Sequence, residues 1–122
     1  MKKNRSPLTE AYFRFLQLAK TFQADPSTMT MDANERALLD AVALRWFEES
    51  PMTVREAIAL DHFGSPATLH KRISRLRKKD MLVAFNQEGD RRAKYLIPSE
   101  KTLKMFAELG DHMHKVHQPA IA

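Results

Sequence analysis

The sequence predicts a mainly α fold with one small β-hairpin: a winged helix-turn-helix with a terminal helix at each end. Three observations predict it. The stretch Ser65–Lys79, SPATLHKRISRLRKK, has the apolar spacing of a helix and carries six Lys or Arg residues and no acid. A short capped helix and a glycine-containing turn stand directly before it, which makes a helix-turn-helix. Two runs rich in β-branched and aromatic residues stand directly after it, with a polar loop between them.

Taken in order, residues 1–7 are expected to fray. Leu8–Gln23 reads as a helix, with Leu8, Tyr12, Phe15, Ala19 and Phe22 on one stripe and Leu16 and Leu18 on its flanks. That stripe is wide and aromatic for a terminal helix. Two covers suit it equally, the chain's own core or a second subunit. Ala24–Met31, with Pro26, is a loop. Asp32 and Glu35 form a capping-box variant opening a helix that runs to about Glu49. Its apolar residues, Leu38, Leu39, Val42, Leu44, Trp46 and Phe47, point in more than one direction, as in a central helix touched on several sides. Ser50–Pro51 stops it.

Thr53 and Glu56 form a second capping box and start a short helix, Thr53–Asp61. His62-Phe63-Gly64 is the turn, with Gly64 free to take a left-handed conformation. Ser65 then caps the cationic helix, because its hydroxyl can accept from a free N–H of the first turn. Pro66 occupies the first helical position, where its missing N–H costs nothing. Leu69, Ile73 and Leu76 make one narrow apolar stripe, and Ala67, Thr68, His70, Lys71, Ser74, Arg75 and Lys78 face outward. A solvated helix normally mixes charge signs, so this one suits an anionic partner.

After Asp80 the period changes. Leu82–Asn86 and Ala93–Ile97 are strand-like, joined by the loop Gln87–Arg92 with Gly89 at its tip. Pro98–Ser99 ends the second strand and caps a last helix, Glu100–His117. Leu103, Phe106, Ala107, Gly110 and Met113 form one apolar stripe of that helix, and Met105, Leu109 and Val116 form another. One stripe can pack on the domain; the second needs a cover, which points to a homodimer built from the two terminal helices. The predicted division is therefore a single winged-helix domain over 1–122, with helices 8–23 and 99–117 for dimerisation and a DNA-binding core over 32–98.

Composition narrows the function. A chain of 122 residues is long enough for one hydrophobic core. No apolar run approaches the roughly 18 residues of a membrane span, and the basic N-terminus lacks a signal core. A cytoplasmic location without membrane attachment is expected. With no cysteine, disulfides and thiolate metal sites are excluded. The net charge of +5 is uneven. Residues 32–61 hold seven acids against three bases, whereas residues 65–94 hold nine bases against three acids. One face is made for a polyanion.

The segments SPATLHKRISRLRKKDML and EGDRRAKYLIPSEKTLKMF resemble the recognition helix and wing of MarR-type transcription regulators. The resemblance covers roughly Asp32–Leu109. It implies a homodimer whose recognition helices enter successive major grooves and whose wings, here residues 86–93, reach the minor groove or flanking backbone. It also implies that Asp90 and Arg92 pair to stiffen the wing while Arg91 touches DNA, and it leaves room for a small-molecule effector of unknown identity. Three departures stand out. The family usually has glycine where Asp80-Met81 stands, a basic residue early in the wing where Ala84-Phe85 stands, and an extra C-terminal helix after the position of Val116.

The chemistry of DNA sorts the residues. Pro66, Ala67, Thr68, His70 and Lys71 lie on the N-terminal half of the helix, the part that meets base edges. Thr68 offers a methyl to thymine or a hydroxyl to a base, and Lys71 can donate to guanine O6 and N7. Ser65, Arg72, Ser74, Arg75, Lys78, Arg91 and Arg92 suit phosphates. Arg77 suits a phosphate as well, but it leans toward the apolar side, where an acid of the fold could pair with it instead. His112, His114 and His117 read as a solvated helix end, favoured by the dipole there, rather than as a metal or pH-sensing site. Glu48, Glu49 and Glu56 sit in ordinary helical or capping settings. No catalytic residue, cofactor or metal is expected, so the chain is not read as an enzyme. The competing reading is a winged helix used as a protein-interaction module without DNA binding.

Overall fold

The structure is a computed structural model that describes residues 6–23, 31–86, 89 and 92–117. Among the described residues, five α-helices and one hairpin follow in the order α1 (Pro7–Gln23), α2 (Ala33–Phe47), α3 (Val54–Ile58), a 3-10 turn at Asp61–Phe63, α4 (Pro66–Lys78), β1 (Leu82–Asn86), β2 (Lys94–Pro98) and α5 (Glu100–His117). The mainly helical fold with a single antiparallel hairpin is the one the sequence predicts. Two compact units divide it: Met31–Lys104, and Met1–Thr30 together with Met105–Ala122.

The first of these is built around α2, which packs on β2 and on α4, while α3 packs on α4 and α4 on β1. Leu38, Leu39, Val42, Ala57, Leu69, Leu76, Leu82 and Leu96 are buried at its centre. The apolar stripe read from Leu69, Ile73 and Leu76 is the buried stripe of α4. The many-sided burial expected of α2 stops short of its last turn, where Leu44 and Phe47 are exposed.

Helix boundaries follow from caps. The Asp32 carboxylate accepts from the Glu35 N–H at 2.7 Å. Glu35 does not close the box: its buried Oε2 instead accepts from Lys79 Nζ at 2.8 Å. The Thr53–Glu56 box is complete, with both reciprocal bonds at 3.1 Å. The helix it starts is shorter than expected, ending at Ile58, and the 3-10 turn replaces its last residues. Both α2 and α4 end in Schellman motifs on non-glycine residues. Met81 N donates to the Leu76 carbonyl at 2.8 Å and Asp80 N to that of Arg77 at 3.1 Å, with Asp80 at φ 58. Ser50 N and Glu49 N do the same for α2, with Glu49 at φ 62. The left-handed residue closes off carbonyls that the helix end leaves unpaired.

The hairpin is in the register Leu82↔Pro98 to Asn86↔Lys94. Alternation puts Leu82, Leu96 and Pro98 inward and Val83, Phe85, Tyr95 and Ile97 on the other face. Strand β2 is also tied to the segment before α3: Leu96 N donates to the Met52 carbonyl at 2.8 Å, and Thr53 bridges Tyr95. At the root of the hairpin, Ser99 and Thr102 fix the start of α5. The Ser99 hydroxyl donates to the Asp80 carbonyl at 2.6 Å and accepts from Thr102 N at 3.1 Å. The buried Thr102 hydroxyl donates to the Met81 carbonyl at 2.6 Å.

In the other unit, α1 buries Leu18 and α5 buries Met105. The aromatic stripe of α1 points outward, with Leu8, Tyr12 and Phe15 exposed together with Phe13 and Leu16. Of the two stripes read on α5, that of Met105 and Leu109 is the covered one, whereas Ala107, Gly110 and Met113 are exposed. The side chains of Phe22, Val116 and His117 lie outside the described residues.

Candidate nucleic-acid interface

The site is α4 and what holds it. Ser65 caps the helix, its Oγ accepting from Thr68 N at 3.2 Å and donating to Thr68 Oγ1 at 2.9 Å. The Thr68 hydroxyl therefore keeps its own hydrogen to donate. Before the cap, Gly64 lies at φ 140 and ψ −177. The positive φ expected of it is present, but in the extended mirror region rather than the left-handed helical one. Only glycine adopts that region at ease. A Cβ there would lie 3.3 Å from Arg72 Nη1 and 3.4 Å from Thr68 Cγ2.

The structure divides the cations of the helix by duty. Arg72 is half-buried, and its Nη1 donates to the Phe63 carbonyl at 2.7 Å, so it clasps the turn onto the helix. Its charge also bears on Asp32, whose carboxyl is held below its ordinary value of 3.8, chiefly by the Glu35 N–H and further by Arg72. Lys79 serves the buried Glu35. By contrast, Lys71, Arg75, Arg77 and Lys78 are exposed, and among the described residues none of them forms an ion pair. Among the described residues Arg77 has no acid partner of the kind its position suggested. Pro66, Ala67 and His70 are exposed as well, while Thr68 and Ser74 are half-buried on the helix flanks. Pro66, Ala67, Thr68, His70, Lys71, Ser74, Arg75 and Lys78 thus share one helix, with its small polar half leading and its cationic half trailing.

The wing contributes Arg92, which is exposed. Asn86 closes the loop base, its Nδ2 donating to the Ala93 carbonyl at 3.1 Å, and Gly89 takes φ 87. Arg91, and the Asp90–Arg92 pair expected to stiffen the loop, lie outside the described residues.

Other candidates look ordinary. Glu48 and Glu49 are exposed at the end of α2, and Glu56 is occupied by its capping box. His112 and His114 are exposed on α5, and among the described residues no group of three or more His, Cys, Asp or Glu could hold a metal ion. No described helix is long and apolar enough to cross a membrane. Sequence reasoning missed the Glu35–Lys79 pair and the Ser99–Thr102 lock. Both join residues distant in the chain, and only a Ser-led helix start hinted at the second.

No family model and no curated protein matches the chain. Solved structures do. A MarR-like transcriptional regulator from Thermotoga maritima superposes with a TM-score of 0.63 at 20% identity, over 93% of this chain and 79% of that one. ZitR of Lactococcus lactis, as a double mutant, gives 0.54 at 19% identity, over 92% and 79%. AbsC, a MarR family transcriptional regulator from Streptomyces coelicolor, gives 0.54 at 17% identity, over 94% and 79%. The chain therefore has the winged-helix fold of MarR-like regulators, as the resemblance of its wing and recognition helix implies.

Proposed function

We infer that the chain is a sequence-specific double-stranded DNA-binding regulator of transcription that acts as a homodimer and catalyses nothing. The recognition helix α4 enters the major groove, and the wing over residues 86–93 lies on the minor groove or backbone. The observation that carries this reading is the outer face of α4, where Lys71, Arg75, Arg77 and Lys78 stand exposed and without an ion pair among the described residues. Desolvated cations without partners are costly, but cations held in water beside a docked phosphate row release its counterions and gain free energy. A protein-interaction module has no need for a helix free of acids along its length.

Within that reading, Pro66, Ala67, Thr68, His70 and Lys71 meet base edges, and Ser65, Ser74, Arg75, Lys78, Arg91 and Arg92 meet phosphates. Arg72 has two guanidinium nitrogens left beyond its bond to Phe63, so it reaches a phosphate only from the flank. The outward stripe of α1, with Leu8 84% and Tyr12 59% exposed, supports pairing of protomers through the terminal helices. NadR, a structural neighbour at TM-score 0.55 and 14% identity, was solved in complex with 4-hydroxyphenylacetate. By analogy, a small-molecule effector belongs to the proposal, its identity open. A cytoplasmic location fits a DNA-binding role.

The test is a gel shift with the Lys71→Ala/Arg75→Ala double variant. Binding is expected to fall strongly while the melting temperature stays nearly unchanged, since both side chains are exposed. With about six phosphates neutralised per dimer, wild-type affinity should fall ~10³-fold over a fourfold salt increase. Absence of wild-type binding to random duplex at low salt and micromolar protein would favour the protein-interaction module instead.

A further inference from the structure

The turn that ends α4 is held from outside by the first turn of α5. Three consecutive carbonyls of that turn, at Lys79, Asp80 and Met81, accept from three side chains. The donors are Lys101 Nζ at 3.0 Å, Ser99 Oγ at 2.6 Å and Thr102 Oγ1 at 2.6 Å. Ser99 N adds a fourth bond, to the Met81 carbonyl at 3.1 Å. Ser99 and Thr102 are buried, so their hydroxyls must find partners inside the fold. Lys101 is under no such demand, because it is exposed. Its ammonium nonetheless folds back onto the C-cap residue of α4, where helix carbonyls lack partners and the dipole favours a cation. Lys79 is thereby held twice, its carbonyl by α5 and its ammonium by Glu35 of α2.

We propose that Lys101, together with Ser99 and Thr102, is a positioning residue of the DNA-binding surface: this strap fixes the tilt of α4, so that its leading half meets base edges in register. The proposal rests on the reading of α4 as a DNA-recognition helix. Thr68 stands eleven residues before Lys79. At the rise of a helix that is a lever of about 16 Å, so a tilt of about 4° at the held end moves Thr68 by ~1 Å. Hydrogen bonds to base edges fail at such a displacement, because their distance and angle are narrow. Phosphate contacts from long Lys and Arg side chains adjust to it, and they carry no sequence information. The strap therefore governs the choice of sequence more than the strength of binding. Lys101 acts through the peptide groups of the turn and touches neither base nor phosphate.

Fluorescence anisotropy of the full chain tests this, with one duplex selected from a random pool and one random duplex, across a salt series. Lys101→Met keeps the stem and removes the donor. It should weaken binding to the selected duplex about fivefold or more, the scale of one base contact, and leave the random duplex within about twofold. The slope of log affinity against log salt should stay that of the wild type, because no phosphate contact is lost. The melting temperature should move by no more than ~4 °C, as for one exposed hydrogen bond. Lys101→Arg can still donate to the Lys79 carbonyl and should restore the preference. Thr102→Val removes a hydroxyl of the same strap and should lower the preference in the same sense. An equal loss on both duplexes, or a preference that Lys101→Arg does not restore, overturns the strap. A slope lowered by about one per protomer overturns it too, and makes Lys101 a phosphate contact instead. If Lys71→Ala/Arg75→Ala abolishes binding while Lys101→Met and Thr102→Val keep the wild-type preference, the strap alone falls. If the wild-type chain binds no duplex at low salt, or no duplex is selected over the pool, the DNA reading falls and takes the strap with it.

Discussion

Replacing Gly64 by alanine should cost about 2 kcal/mol of stability, and the figure can be worked from the turn. At φ 140 and ψ −177 the residue occupies a region that L-residues avoid, with a strain of roughly 1–3 kcal/mol. The new Cβ also comes within 3.3 Å of Arg72 Nη1, tighter than ordinary contact, and the obvious relief is to push the guanidinium off the Phe63 carbonyl. That bond is worth roughly 1 kcal/mol or more because its donor is charged. Alanine restricts the unfolded chain and returns roughly 0.4–1 kcal/mol. The net is about 2 kcal/mol. A chain of 122 residues unfolds with about 0.26 kcal/mol per kelvin, so the melting temperature should drop ~8 °C. Thermal melts followed by circular dichroism give the number. Arg72→Ala, measured in both backgrounds, should cost less once Gly64→Ala is present, because the clasp is already loosened. A fall below about 2 °C, or full additivity of the two changes, refutes the reasoning.

Asp32→Asn keeps a capping side chain but removes the charge that Glu35 N–H and Arg72 favour. Because the folded carboxyl lies below 3.8, the wild-type advantage should be present above that pH and vanish as pH falls through the folded value; a constant difference in melting temperature down to about pH 2.5 would contradict this. Ser99→Ala loses both the cap on Thr102 N and the donor to the Asp80 carbonyl, so it should cost about 1–2 kcal/mol and lower the melting temperature by ~4–8 °C. Tyr12→Asp with Phe15→Asp should convert a dimer to monomer in sedimentation velocity without loss of helical signal; an unchanged sedimentation coefficient would remove the terminal helices from the interface.

Most of the architecture was legible because it rests on local rules. Ser65-Pro66, Thr53…Glu56 and Ser99 are caps, and each starts a helix where it stands. The Leu69, Ile73, Leu76 stripe set the orientation of α4, and period-two alternation set that of the hairpin. What stayed hidden is chemistry between distant residues. Glu35 looked like half of a capping box because the spacing was right. It is buried, and a buried carboxylate takes the strongest donor within reach, which is Lys79, 44 residues on. The end of α4 was equally opaque. No glycine marks it, yet Asp80 takes the left-handed conformation, since Leu76 and Met81 are buried together and fix the turn. Aspartate tolerates that conformation better than most residues.

The same contrast explains how the six cations of α4 and its C-cap can serve two ends. Arg72 and Lys79 lie on the flank of α4 nearest α2, where each finds a partner: the Phe63 carbonyl and the Glu35 carboxylate. Those bonds set the roll of the helix about its axis. Once the roll is set, Lys71 and Arg75 lie away from the buried stripe of Leu69, Ile73 and Leu76, and among the described residues neither forms an ion pair. Arg72 and Lys79 are engaged with the fold, whereas Lys71 and Arg75 stand exposed. Changes at the flank that remove no cation should then alter binding by rotating the face, without touching any group of the proposed interface. Glu35→Gln is the sharpest probe: it keeps the shape, weakens the hold on Lys79, and should weaken DNA binding while adding nothing to the salt slope. A steeper slope would mean that Lys79 had joined the phosphate contacts, and the division of labour along α4 would be wrong.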